Sequence, residues 1–366
     1  MKNGRFPKTL TGRLRAEAAS DRCGLSSPSA PARHDRGLLA EGRVAAPHIA
    51  DLIAKIKESA EQMARQRTSR GDLKILSRML RELGHAFKVF TPYRGCRKVT
   101  VFGSARTPPE APAYRQAVEF GRAMAQQGWL VVTGAASGIM EAGHVGAGRE
   151  KSMGLNIILP FEQAANPIIA GDRKLVYMKY FFTRKLMFVK ESHAICLLPG
   201  GFGTLDEGLE VLTLLQTGKR DMMPVVLLDE PGGDFWSALV DFIERRLVAR
   251  AMIAPEDVAL YKRTDRVEEA VAEVQGFYRV YQSMRHVRGR LVLRLARPLD
   301  QDRLDAIQRE FADLLAGGRF EQCGPLPEER DEPELENQPR LVFAFNHRSF
   351  GRLRQLIDCV NAGRGC

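Results

Sequence analysis

No apolar run in this chain approaches the ~20 residues that a membrane-spanning helix needs, although 44% of its 366 residues are hydrophobic. That combination predicts a soluble globular protein. The six cysteines (Cys23, Cys96, Cys196, Cys323, Cys359 and Cys366) are scattered, with no CxxC and no spacing of metal ligands. Neither a metal site nor a disulfide framework is expected, and a reducing, cytoplasmic setting is. Cys196, inside an apolar run, reads as a small buried thiol. The N-terminus lacks the apolar stretch of a secretory signal, and its acids and prolines interrupt any amphipathic transit peptide. A Walker loop is excluded because no Gly-Lys-Ser/Thr follows a glycine-rich turn. A dinucleotide fingerprint is excluded because no G-x-G-x-x-G opens the first strand-to-helix turn.

Basic excess is missing from most of the chain, despite a net charge of +11. Residues 1–98 hold 21 Lys/Arg against 9 Asp/Glu, and the remainder holds 34 against 35. The larger part is therefore no nucleic-acid platform, and any attraction for polyanions belongs to the N-terminal arm. That arm has Phe6 as its one aromatic residue over 1–47, too few to stack bases along a strand.

Residues 1–47 mix Arg, Ser, Pro, Gly and Ala without periodicity and are expected to form a disordered basic tail. Over 48–96 apolar residues fall at helical spacing, first Ile49, Leu52, Ile53, Ile56, Ala60 and Met63, then after Gly71 Leu73, Leu76, Leu80, Leu83 and Phe87. A helical extension is predicted there. From 97 to 265 almost continuously apolar runs (99–102, 129–133, 154–159, 194–198 and 224–228) alternate with helical segments (113–127, 138–149, 176–192 and 204–216). Buried parallel strands read in this way, and the repeat implies a Rossmann-like, doubly wound α/β sheet. A helix over 235–252 would close it. Over 266–366 the pattern predicts a small α/β module for oligomerisation or regulation: helix 267–281, strand 290–295, helix 301–315, an acidic linker 325–339, strand 341–345 and helix 350–361. Ser349 and Gly363 would bound that last helix.

In such sheets ligands sit beyond the carboxyl ends of the strands. Three turns fall there: Gly103-Ser104, Gly134 to Gly138, and Pro199-Gly200-Gly201-Phe202-Gly203-Thr204. The last is the most informative. Its glycines allow close approach of a ligand to the backbone. The unpaired N–H groups of the helix that follows form an anion site, and Thr204 is expected either to cap that helix or to donate to a phosphate. Asp206 and Glu207, close to that anion, should face an uncharged part of the same ligand, such as a sugar hydroxyl or a water. Glu207 shares its side of the helix with Val211 and Leu214, so it should project from a partly buried face, where an acid is costly unless paired or used. Glu210 reads as structural. Upstream, Arg184-Lys185 is a pair of cations on an apolar helix, and the bland alternative for it is a snorkelling pair.

Residues 199–207, Pro-Gly-Gly-x-Gly-Thr-x-x-Glu, resemble the signature of the LOG family without a gap. These are phosphoribohydrolases, long labelled lysine decarboxylases, that cleave nucleoside 5′-monophosphates into free base and ribose 5-phosphate. The family's second element, an Arg-Lys pair, matches Arg184-Lys185. Many members have Met-His-x before it where this chain has Phe181-Phe182-Thr183, which points toward the longer bacterial nucleotide nucleosidases. The resemblance spans roughly 98–265. It implies catalysis by Glu207 and Arg184 and substrate binding by Gly200, Gly201, Gly203, Thr204, Asp206, Lys185, Gly103, Ser104, Gly134 and Gly138. It also implies a nucleoside 5′-monophosphate as ligand, no cofactor, no metal, a homodimer or higher homo-oligomer, and no membrane or nucleic-acid partner. The loop 161–166 is a candidate for the base pocket; His144 and His193 read as ordinary helix residues. Two rival readings use the same fold, a non-catalytic carrier of a phosphorylated nucleotide or molybdenum cofactor and a single-strand binder of the DNA-processing type.

Overall fold

The computed structural model of the chain describes residues 49–160, 164–329 and 335–362. The expected tail over 1–47 and Gly363 lie outside the described residues, as do 161–163 of the candidate base loop and 330–334 of the acidic linker. The chain forms two units, Met1–Ser59 and Ala60–Cys366. Described residues of the first are helical and begin α1 (Ala50–Arg65), in which Leu52, Ile53 and Ile56 are exposed. No helix among the described residues is long and apolar enough to cross a membrane.

In the second unit α2 (Arg70–Phe90) starts before Gly71, because Ser69 caps it by accepting the Asp72 N–H. Seven parallel strands follow: β1 (Lys98–Phe102), β2 (Leu130–Thr133), β3 (Ser152–Ile157), β4 (Leu175–Met178), β5 (Ala194–Leu197), β6 (Val225–Leu228) and β7 (Lys262–Thr264). Their order is β4-β3-β2-β1-β5-β6-β7. Successive side chains face opposite ways, so Ala194 and Cys196 enter one core while Ile195 and Leu197 enter the other. The first core is closed by α3 (Pro112–Gln126), α4 (Ile139–Lys151) and α8 (Val267–Phe277). The second is closed by α2, α5 (Phe181–Glu191), α6 (Phe202–Gln216) and Trp236 of α7 (Phe235–Phe242).

Several expected elements are corrected. The helix expected over 176–192 is two elements, because Tyr180 is extended (φ −105°, ψ 135°) and separates β4 from α5. β7, Lys-Arg-Thr on the sheet edge, has no apolar signal to announce it. The helix expected over 235–252 is α-helical only to Phe242 and then widens into a π-helical stretch over Ile243–Val248. The helix begun at Val267 ends at Phe277 rather than at residue 281, and the one begun at Gln301 ends at Glu310 rather than at 315.

Beyond α8 the chain builds β8 (Tyr281–Val287), β9 (Arg290–Leu295), α9 (Gln301–Glu310), β10 (Leu315–Cys323), β11 (Arg340–Phe345) and α10 (Phe350–Asn361). The four strands form an antiparallel sheet ordered β10-β11-β9-β8, so the module has two more strands than expected. Its apolar face is continuous with the core under α5 and α6. Asn361 ties α10 to the segment that leads from α8 into β8: its amide oxygen accepts from Val280 and Tyr281 N–H, and its nitrogen donates to the Phe277 carbonyl.

Candidate functional site

From β1 the chain lays strands in one direction as far as β4, then returns to place β5 on the other side of β1. The strand order therefore reverses between β1 and β5, where loops diverge and leave a crevice. The two loops there are tied by bonds from Ser104 N–H to the Pro199 carbonyl (3.1 Å) and from Leu198 N–H to the Phe102 carbonyl (2.9 Å). A cavity of about 590 Å³ opens at this point, within the range of small-ligand sites. Gly103, Ser104, Gly134, Arg184, Gly201, Gly203, Thr204 and Glu207 line it. Gly200, Gly138, Lys185 and Asp206 stand behind or beside that lining.

The glycines divide by what surrounds them. A Cβ on Gly200 would lie 2.2 Å from Thr204 Oγ1 and 2.9 Å from Ser104 N, and one on Gly103 would lie 2.5 Å from Ile139. Gly138 (φ +66°) would meet the Ser104 carbonyl at 2.3 Å. These three pack the loops against one another. Gly201 and Gly203 have nothing within 4 Å of their missing Cβ atoms and present bare backbone to the cavity. α6 begins at Phe202 with Gly201 as its extended N-cap. Thr204 is therefore inside the first turn and does not cap the helix; its own N–H closes back on the Gly201 carbonyl. The first N–H groups of α6 have no intrahelical acceptor by geometry, and their partial positive charge favours an anion in front of them.

Thr204, Glu207, Gly208, Val211 and Leu215 form the buried stripe of α6. It passes through Leu215 rather than Leu214, one residue round from the expected line. Glu207 is 3% exposed, and its nearest cation, Lys185 Nζ, is 3.8 Å away. Burial pushes its carboxyl up to about 7, against the pull of Lys185 and Arg184. Lys185 instead binds Glu210 (2.5 Å) and Asp206 (2.9 Å). It holds a carboxylate cluster together beside the cavity, and Asp206, with its side chain mostly exposed, points into that cluster.

Arg184 is set between the rings of Phe181 and Phe188, at 5.0 and 5.6 Å. Its Nε is buried without an acceptor. Burial pulls the guanidinium below its ordinary range, opposed by the charges of Glu207 and Asp206; it stays cationic. The helix that carries it is pinned by Glu82 of α2, whose carboxylate accepts from Lys179 N–H (2.8 Å), Thr183 Oγ1 (2.9 Å) and Arg78 Nε (2.8 Å).

The Gly134–Gly138 turn rests on a buried polar network. His144 bonds to Thr133, the Met153 carbonyl and Asn166, while Asn166 reaches the backbone of Ala135 and Ala136. Burial pushes His144 down to about 4, so it is a neutral strut. Asn166 thus serves the turn rather than the cavity wall. His193 is not in a helix; it follows α5 and accepts the Lys98 N–H through Nδ1. Asn156 of β3 lines the cavity, is 2% exposed, and has an Nδ2 with no acceptor. Reading the strand as apolar concealed it, although it is the one polar residue among Gly154-Leu155-Asn156-Ile157. Phe202, 92% exposed at the cavity mouth, likewise carried no signal beyond its place in the glycine turn.

Glu207 also sets a stability test. Its folded-state value of about 7 exceeds the ordinary 4.5, so its contribution is fully present below about pH 4.5 and lost as the pH rises through about 7. Glu207→Gln should then stabilise the protein at pH 8 by about 1–3 kcal/mol and change little at pH 4. Urea unfolding at the two pH values measures this; an equal effect at both would show that the carboxyl is not destabilised by burial.

Residues 133–274 match the family model described as "Possible lysine decarboxylase". A probable cytokinin riboside 5′-monophosphate phosphoribohydrolase of Oryza sativa subsp. japonica is 32% identical over 41% of this chain and 60% of its own length. The chain thus spans less than two thirds of that relative. A cytokinin riboside 5′-monophosphate phosphoribohydrolase of the same plant is 27% identical over 51% of this chain and 76% of its own length. Among solved structures, the Moco carrier protein from Chlamydomonas reinhardtii is 21% identical over 49% of this chain and 96% of its own, with a TM-score of 0.33.

Proposed function

The chain belongs to the LOG family through its parallel-sheet core, and from that premise we propose that it hydrolyses the N-glycosidic bond of purine nucleoside 5′-monophosphates, AMP among them, to free base and ribose 5-phosphate. One observation supports this above the others. A buried carboxyl, Glu207, and a half-buried cation, Arg184, border the same cavity as an anion-binding helix start. Phosphate at Gly201–Gly203 anchors the nucleotide and holds its sugar against Glu207.

Breaking the bond between C1′ and the base nitrogen develops positive charge on the sugar. The Glu207 carboxylate stabilises that charge in a site screened from water and orients the attacking water. Water oxygen bonds to C1′, the bond pair leaves with the base, and the proton lost by the water balances the base. Arg184, held between two rings, orients the nucleotide beside Glu207. Lys185 acts at one remove: by binding Asp206 and Glu210 it offsets the negative charge that these two carboxylates place behind the catalytic one. The exposed apolar side chains of α5, Phe181, Phe182 and Leu186, support a homo-oligomer.

The test is chromatography of AMP, GMP, CMP and isopentenyl-adenosine monophosphate after incubation with the protein. Release of free base together with ribose 5-phosphate is expected, with purine nucleotides ahead of CMP. Intact nucleotides alongside measurable nucleotide binding would overturn the enzyme reading in favour of a carrier.

A further inference from the structure

A second cavity, of about 430 Å³, lies at the amino ends of β1, β5 and β6, where the parallel sheet meets the antiparallel module. It shares no lining residue with the cavity at the carboxyl ends. The charges around it do not balance. Arg94, Arg97, Arg220 and Arg294 line it, and among the described residues Asp221 is the only lining carboxylate. Arg294 is engaged by Glu329 at 2.8 Å. The other three have no such partner among the described residues: Arg94 and Arg97 have no ion pair, and Arg220 reaches Asp221 only at 4.0 Å.

Arg94 is exposed at the rim, whereas the guanidiniums of Arg97 and Arg220 are held in place and left with spare donors. Arg97 lies 3.8 Å from the centre of the Tyr278 ring and gives one Nη2 bond to Gln282. Arg220 donates Nη2 to the Ser192 carbonyl, and its Nε is buried without an acceptor. His193 adds a neutral donor. Its Nδ1 accepts from Lys98, which leaves the proton on Nε2. Burial, and then the positive charges of Lys98, Arg220 and Arg97, push its pKa down to about 3. Positive charge partly withdrawn from water, as at Arg97 and Arg220, with Asp221 at 4.0 Å as the one described counter-charge, is unfavourable unless an anion completes it. Forked guanidinium donors match phosphate oxygens in particular.

The geometry points to a binding site for a small phosphorylated anion of two or more charges, held by Arg94, Arg97 and Arg220, at the end of the sheet opposite the candidate catalytic cavity. It needs nothing from the proposed hydrolysis and stands or falls separately. Occupancy would brace the segments that enter β1 and β5, the two strands whose far ends carry Gly103 and Pro199.

Pyrophosphate, titrated at constant ionic strength, is the probe. Trp129 is the reporter because its ring lies 5.9 Å from both the Tyr278 ring centre and the Arg97 guanidinium. Trp236, the other of the two tryptophans, is replaced by Phe. A saturable change in emission is expected. It should weaken tenfold or more in Arg220→Gln and also in Arg94→Ala, a surface change that leaves the core alone. It should persist in Gly203→Asp, which puts a carboxylate into the other cavity. The proposal is overturned if folded protein gives no response, if both arginine variants titrate like the parent, or if Gly203→Asp abolishes the signal.

Discussion

Glu207→Gln should lower the release of base from AMP by about 10³-fold or more while leaving nucleotide binding within a few-fold of the parent. The substitution keeps the shape of a side chain that is 3% exposed and removes only its capacity for negative charge. In the ground state the sugar is neutral, so Glu207 has little to bind there. In the transition state C1′ is positive, and the loss appears in kcat. A carboxylate with a closely bonded counter-ion would be a weaker stabiliser. Here Lys185 stays 3.8 Å from Glu207 while closing on its neighbours Glu210 and Asp206. The same substitution should make the protein more stable at pH 8, so an inactive variant could not be dismissed as unfolded. Equal turnover by parent and variant would remove Glu207 from the chemistry, and unchanged binding alongside it would show that the assay was sound.

How far this site could be read from the sequence depends on what kind of signal each part leaves. Strands buried on both faces announce themselves as apolar runs, so β1, β2, β3, β5 and β6 were legible to within about two residues. The edge strand β7 is Lys-Arg-Thr and β4 runs into an apolar helix, so neither has a pattern of its own. β10 was hidden by Gly317-Gly318, which sit where its register with β11 shifts. The glycine turn was legible because backbone chemistry dictates its residues. The division of labour within it was not, since Gly200 and Gly201 are identical letters, one packed and one bare. Lys185 shows the same limit: adjacency to Arg184 placed it near the site, but only the fold reveals that three carboxylates of α6 surround its ammonium. Asn156 is the converse case, a polar residue in a buried strand whose orphaned amide becomes meaningful only once the cavity is in view.

That difference between two neighbouring glycines leads to opposite outcomes for the same substitution. In Gly200→Ala the new methyl would lie 2.2 Å from Thr204 Oγ1, 2.8 Å from Thr204 Cβ and 2.9 Å from Ser104 N. One of those atoms is backbone, and the others belong to a buried side chain in the first turn of α6, so the β1 and β5 loops must part. Overpacking of this kind costs about 1–3 kcal/mol. It also strains the bond between Ser104 N–H and the Pro199 carbonyl, worth about 1 kcal/mol net. A displacement near 1 Å of the helix start from the ribose would reduce turnover about 10²-fold. Gly201→Ala differs in both respects. Its backbone (φ −83°, ψ −158°) suits any residue and nothing lies within 4 Å of the new methyl, so the melting temperature should not move. The methyl instead occupies the space through which a phosphate reaches the N–H groups of α6, and affinity for AMP should fall tenfold or more at unchanged stability. Thermal unfolding and AMP titration of both variants separate the two effects. If Gly201→Ala binds AMP like the parent, the phosphate does not lie against this turn, and the orientation proposed for the nucleotide must be reversed.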